Sequence, residues 1–263
     1  MPNLSTINID DNNYKIDLNN PIDISIPISS KYNPSFYDDN PLRIEYFESK
    51  NKVWSTAHKA SCNIPILHLN IHCGATHTEC RSHITNEDLT VPQCLKNSFS
   101  KAYLITLEPK ENTSDTYHHK ISKNDFLITK EMLIDKLSNI GKKTLNSLII
   151  RTQPNTSSLT NTNYNLIKNA FFSNEAIKYI TKIGVKNLIV DIPSIDKYDD
   201  GGKLGNHRIF WEIDSERPNN NTITELAYIN NEIEDGDYII SLNILNIELD
   251  TSPSRPLMYK ILK

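Results

Sequence analysis

Residues 72–84, "HCGATHTECRSHI", gather His72, His77, His83, Cys73, Cys80 and Glu79 into one short segment. Imidazole, thiolate and carboxylate are all Zn²⁺ ligands, and a catalytic zinc needs only three protein ligands with one position left for water. Alternate side chains of an extended segment share a face. Read as a strand, the segment therefore converges Cys73, His77 and Glu79 and turns His72 away. His83 has the same parity but follows a turn, which sets it beside the metal face, where a general acid or base is useful. Two other readings stand beside this one. The segment can be an ordinary half-buried strand with a structural His68 and His72, or it can pair a nucleophile, Cys73 or Cys80, with a base, His77 or His83. The second leaves Glu79 without a role. His118 and His119 sit in a polar loop and read as solvated.

The elements that must position these residues are legible from periodicity. "YKIDLNN", "PIDISIPIS" and "NIPILHLNIHCGATHTE" alternate apolar and polar residues as strands do, and "KAYLITLEP" is a strand closed by Pro109. "ITKEMLIDKLSNIGKK" has helical spacing, with Thr129 as N-cap and Gly141 as its stop, and "NEAIKYITKIG" is a second helix. Between and after them, "TLNSLIIRTQ" and "VKNLIVDIPSID" are continuous apolar strands. Strand, helix, strand in that order implies a right-handed crossover and a partly parallel sheet. "TITELAYI" and "DYIISLNILNIEL" return to alternation around an Asp235-Gly236 turn. No repeat or linker divides the chain, so its 263 residues read as one α/β domain, 1–263.

Composition narrows the partners. A net charge of −4 with no long basic run gives no electrostatic footprint for nucleic acid or an anionic membrane. No segment has the roughly 20 apolar residues that cross a bilayer, and the N-terminus lacks the pattern of a signal peptide. The expectation is a cytoplasmic protein with a small-molecule substrate. The four cysteines, Cys62, Cys73, Cys80 and Cys94, lack the paired spacing of a structural zinc site.

"ATHTECRSH" is similar to the HxGTHxDxPxH motif of the cyclase family of metal-dependent hydrolases, which includes bacterial kynurenine formamidases. Other pieces resemble the family in the same order: "PIDISIPI", "LIIRT", "GVKNLIVDIPSID", "NHRIFWE", "TITELAYI" and "DTSPSRPLMYKI". The resemblance implies a central mixed, barrel-like sheet flanked by helices, of the swivelling β/β/α type. It places metal ligands on Cys73, His77, Glu79, His207 and Glu225, and the catalytic acid/base on His83. It implies one or two Zn²⁺ ions, with Mn²⁺ as an alternative, hydrolysis of an amide or formamide such as N-formylkynurenine, and a homodimer or tetramer. Asp191, Ser194 and Asp196, at the end of a parallel strand, are candidates for contact with substrate or with ligating histidines; each can equally cap its own turn. Arg151 is a candidate for a substrate carboxylate or for a buried Asp. Phe210 and Trp211 read as core or interface.

Four positions depart from the motif. Cys73 stands where the family has His, Glu79 where it has Asp, Ala75 where it has Gly and Arg81 where it has Pro. The stretch "IDSERPNNN" reads as an inserted loop. A bulge would turn His72 to the other face and let it replace the missing His. A metal-free binding protein that keeps the fold, and a lactone or cyclic-compound hydrolase, are the alternatives that follow from these departures.

Overall fold

The computed structural model describes residues 4–29, 31–111, 113–138 and 145–262. Its centre is a closed ring of seven strands: β1 (His77–Glu79), β2 (Ser100–Leu107), β3 (Ser147–Thr152), β4 (Asn187–Val190), β5 (Thr222–Glu225), β6 (Gly236–Ile244) and β7 (Thr251–Lys260). Around the ring the order is β6-β2-β3-β4-β5-β1-β7, and β7 pairs back onto β6. β2 to β5 run parallel, and β1, β6 and β7 join them by antiparallel pairings. Closure leaves none of these seven strands as a full edge. Ile22–Asp23 adds a short pairing outside β7; past it, Ile24 N donates to the Pro256 carbonyl and its own carbonyl accepts from Tyr228 N, and Pro27 has no N–H with which to carry a ladder on.

The parallel strands are apolar without interruption because both faces are buried. Ala102, Leu104, Ile149, Ile189, Ile240 and Met258 point into the ring. Their neighbours Ile105, Leu148, Ile150, Leu188 and Val190 point outward against two helices, α2 (Lys130–Leu137) and α3 (Asn174–Lys182), through Leu133, Ile177 and Ile180. Both helices begin on side-chain caps: the Thr129 hydroxyl accepts from Met132 N at 3.4 Å and the Ser173 hydroxyl from Ala176 N at 3.1 Å. Gly141, the expected stop of α2, lies outside the described residues. Phe210 and Trp211 are fully buried in the same outer cluster.

The segment from 64 to 79 corrects the expectation of one continuous strand. Pro65–Leu69 pairs with Leu42–Tyr46 as an outlying ribbon, Ile71–Gly74 forms a single helical turn, α1, and only His77–Glu79 joins the ring. The turn exchanges a period of two for one near four, so the faces on which residues 72 and 73 lie are exchanged as well.

Candidate metal centre

β1 and β5 are antiparallel neighbours, with Glu79 opposite Ile223 and His77 opposite Glu225. Ile223 belongs to the outer, helix-facing cluster, so His77, Glu79 and Glu225 share that face. The alternate residues Thr78 and Thr224 point the other way and join their hydroxyls at 2.8 Å. A fourth helix, α4 (Gly205–Phe210), brings His207 over the carboxylates. Asp196 anchors its start: one carboxylate oxygen accepts from Asn206 N at 2.9 Å, the other from His207 Nδ1 at 2.7 Å.

Glu79, fully buried, is the hub. Its Oε1 lies 3.0 Å from His207 Nε2; its Oε2 lies 3.3 Å from His72 Nδ1 and 3.8 Å from His83 Nε2. Glu225 Oε1 accepts from Ile195 N at 2.8 Å and lies 3.7 Å from His207 Nε2. Burial works against the Glu79 charge, but the facing His83 and His207 rings outweigh it and hold the carboxyl well below the ordinary carboxylate range. Burial likewise opposes a charge on His207, and Glu79 and Asp196 overturn it, raising that ring well above an ordinary histidine. His72 is raised to about 10: burial is offset by Asp250 and Glu79.

Whether these residues fit a metal can be judged from two atoms. His77 Nδ1 lies 2.9 Å from the Ala75 carbonyl, which only accepts, so Nδ1 carries the proton and Nε2 a lone pair. That Nε2 is buried, has no hydrogen-bond partner among the described residues, and lies 3.6 Å from Glu225 Oε2, so that in the neutral ring two acceptors face each other. Glu79 Oε2 is also buried and has no well-directed hydrogen bond among the described residues, its nearest nitrogen being His72 Nδ1 at 3.3 Å. Buried acceptors aimed at one another call for a cation between them, and His207, held through Nδ1 by a carboxylate, has the usual support of a ligating histidine. Three sets of donor atoms lie within 4.8 Å of one another here: His72, His77 and Glu79; Glu79, His207 and Glu225; and His72, His83 and Asp250. The donor set fits a metal.

His77, Glu79, His83, His207 and Glu225 are brought together. Cys73 is in none of the donor sets found among the described residues; its carbonyl accepts from Phe36 N at 2.9 Å and its buried side chain lines the cavity wall. His72 takes the place expected of Cys73, because α1 turns it inward. Asp196 meets His207, and Ser194 walls the cavity with its hydroxyl accepting from Asp196 N. Asp191 and Arg151 are elsewhere. Asp191 accepts from Thr152 N and Oγ1 at 2.7 and 3.0 Å, and borders a separate cavity. Arg151 is held by Thr106, the Asn230 carbonyl and Asp235, which answers its charge without a substrate. His118 is not solvated: its Nε2 accepts from Gly205 N and lies 3.2 Å from Asp200. Cys80 is buried, faces Cys94 and Ser82, and does not line the cavity, so it is not placed as a nucleophile.

Sequence reasoning missed Asp250, whose Oδ2 lies 3.3 Å from His72 Nε2 and 3.2 Å from His83 Nδ1. Bonded to both rings, its carboxyl is held well below the ordinary range. Nothing in its local sequence announces this; only the pairing of Thr251 with Glu79 brings it there. The signal for His72 was present. Counting Ala75 as one extra residue, "HCGATH" keeps the motif's His, Gly, Thr and His at 72, 74, 76 and 77.

The donors open onto a cavity of about 470 Å³, walled by Phe36, Tyr37, Pro193 and Tyr198. Tyr37 and Tyr198 stack with ring centroids 4.6 Å apart.

The family model "Putative cyclase" matches residues 22–197. The chain belongs to the cyclase family. Similar solved structures include isatin hydrolase A from Labrenzia aggregata bound to benzyl benzoate, 12% identical with a TM-score of 0.64 over 92% of this chain and 94% of that one. Isatin hydrolase A from Ralstonia solanacearum is 13% identical with a TM-score of 0.61, covering 91% of each chain. A "predicted metal-dependent hydrolase" from Bacillus stearothermophilus is 15% identical with a TM-score of 0.60, covering 91% of this chain and 98% of that one. At such identities the likeness establishes a shared fold. No curated protein matches the sequence.

Proposed function

We propose that the protein is a metal-dependent hydrolase of a carbon-nitrogen bond in a small amide or formamide, in the manner of an arylformamidase. The observation that carries this reading is the pair of buried acceptors without well-directed hydrogen bonds, His77 Nε2 and Glu79 Oε2, at the point where five donor side chains converge. His72, His77 and Glu79 would hold one ion, and Glu79, His207 and Glu225 a second, with Glu79 common to both. When bound, the metal supplies a water with its pKa lowered toward about 7 and polarises the carbonyl. Three imidazoles and two carboxylates suit Zn²⁺ and Mn²⁺ alike; with the Cys73 thiolate outside the set, no soft ligand favours zinc.

His83 is the general acid/base. It is part-exposed on the cavity side, within 3.8 Å of Glu79, and can take a proton from the attacking water and deliver it to the departing amine. Asp196 orients His207, and the Ile195 backbone N–H orients Glu225. The aromatic walls suit a flat substrate. The fold shared with proteins named isatin hydrolase adds a second reading, a cyclic amide, to the formamide. A homodimer or tetramer acting on a small molecule is the form that the family resemblance supports.

The test is hydrolysis of a panel containing N-formylkynurenine, isatin and simple lactones, before and after chelation. Amide cleavage that chelation abolishes and Zn²⁺ or Mn²⁺ restores is the expected result. Activity that survives chelation overturns the metal role; a chain that holds no metal and cleaves nothing is the binding-protein alternative.

A further inference from the structure

The carboxylate of Asp250 has no part in either proposed ion site, yet it touches both a proposed ligand and the proposed base. We propose that Asp250 is a positioning residue that fixes the tautomers of His72 and His83 together, making His72 Nδ1 a metal-facing nitrogen and His83 Nε2 the nitrogen that moves the proton. The proposal rests on the hydrolase reading.

The two rings stack with centroids 4.2 Å apart and 30° between planes. Along one edge of the stack lies a single oxygen, Asp250 Oδ2, at 3.3 Å from His72 Nε2 and 3.2 Å from His83 Nδ1. Along the other edge lies Glu79 Oε2, at 3.3 Å from His72 Nδ1 and 3.8 Å from His83 Nε2. An ionised carboxylate only accepts, so each ring presents an N–H to Asp250. For His83 the nearer carboxylate is Asp250, which leaves the lone pair on Nε2; for His72 the two carboxylates are equally near, so its Nδ1 gives up a proton and offers a lone pair only when a cation faces Glu79. With that cation bound, one oxygen selects opposite tautomers in adjacent histidines.

Asp250 is itself well placed. Its carbonyl accepts from Cys80 N at 3.0 Å, and the next residue, Thr251, pairs with Glu79 across β7 and β1. Its carboxylate is therefore registered to the same rung of the ring as Glu79. During hydrolysis, water adds to the carbonyl carbon, a C–O bond forms and the C–N bond breaks. The proton taken by His83 Nε2 goes to the amine nitrogen, and Nδ1–H stays on Asp250 throughout. Such outer partners hold ring orientation and basicity, and their loss costs roughly 10- to 100-fold.

The experiment compares the zinc-loaded native protein with Asp250→Asn and Asp250→Glu. Long-range ¹H–¹⁵N spectra of the native protein should show His83 protonated at Nδ1 and free at Nε2, and His72 protonated at Nε2. Asn offers one acceptor and a competing donor, so Asp250→Asn should flip or mix at least one tautomer. It should lower kcat by roughly 10- to 100-fold with little change in KM, and Asp250→Glu should recover part of the loss. A native spectrum with His83 protonated at Nε2 overturns the proposal. So does an Asp250→Asn protein with native kcat and native histidine shifts. If Asp250→Asn does not fold, the native spectrum decides alone. If the chain retains no zinc and cleaves no amide, the hydrolase reading fails, while the His83 assignment is still tested in the metal-free spectrum.

Discussion

His83 and Cys73 carry opposite expectations at the scale of single residues. His83 lies on the cavity side of the cluster, 3.8 Å from Glu79, and supplies proton transfer without holding an ion. His83→Ala should keep its metal and lose roughly 100- to 10,000-fold in turnover, read by metal analysis beside steady-state kinetics; unchanged turnover removes it from the mechanism. Among the described residues, Cys73 lies outside every donor set while His72 lies in two of them. Cys73→Ser should therefore keep native metal content and His72→Ala should not, a contrast that equilibrium dialysis measures. The reverse result would return the first ligand to Cys73. Glu79, one methylene longer than the family's Asp, spans from His207 at 3.0 Å to His72 at 3.3 Å, so its length serves the displaced ligand.

At the scale of elements, α1 is the device that makes His72 a donor, and Gly74 is what lets it pack. A Cβ at position 74 would lie 2.6 Å from Pro41 and 2.8 Å from Asn33 Nδ2. Gly74→Ala should destabilise the fold by about 1–3 kcal/mol, read as a lowered urea midpoint, and should reduce metal affinity along with it; an unchanged midpoint would mean the turn yields freely. Most strands, the Thr129 cap and the convergence of His77, Glu79, His83, His207 and Glu225 are legible in the sequence, because period, capping residues and motif order are local properties. His72 was misplaced because one inserted residue, Ala75, is absorbed by a helical turn, and periodicity alone cannot separate a turn from a bulge. The strand-end position points Asp191 toward the site, but Thr152 satisfies it first, and of the two roles open to Arg151 the structure shows the pairing with an Asp, here Asp235. Arg81 and the inserted loop are two departures that explain each other. Arg81 binds Glu87 at 2.7 Å and the Asn219 carbonyl at 2.9 Å, fastening the insert beside the strand that carries Glu79.

Over the whole molecule, the closed ring fixes the site by holding β1 and β5 in register, while its buried polar groups set a dependence of stability on pH. Burial of Asp191 pushes its pKa up to about 7 from 3.8, against the hydrogen bonds from Thr152. A folded-state pKa raised in this way gives a contribution that is full below the unfolded value and is lost as pH rises through about 7. Stability should fall across that window by no more than about 1.4 kcal/mol per pH unit from this group. Asp191→Asn should flatten the slope in urea melts; a variant that keeps the native slope assigns it to another group. No helix among the described residues is long and apolar enough to cross a membrane. A metal held between His77 Nε2 and Glu79 Oε2 carries the proposed function. That role is tested most directly by elemental analysis of the protein purified without added metal and then dialysed against a chelator. One or two ions per chain are expected before dialysis and none after, with uptake restored by Zn²⁺ or Mn²⁺ but not in Glu79→Gln. A chain that emerges without metal and takes up neither ion would contradict it.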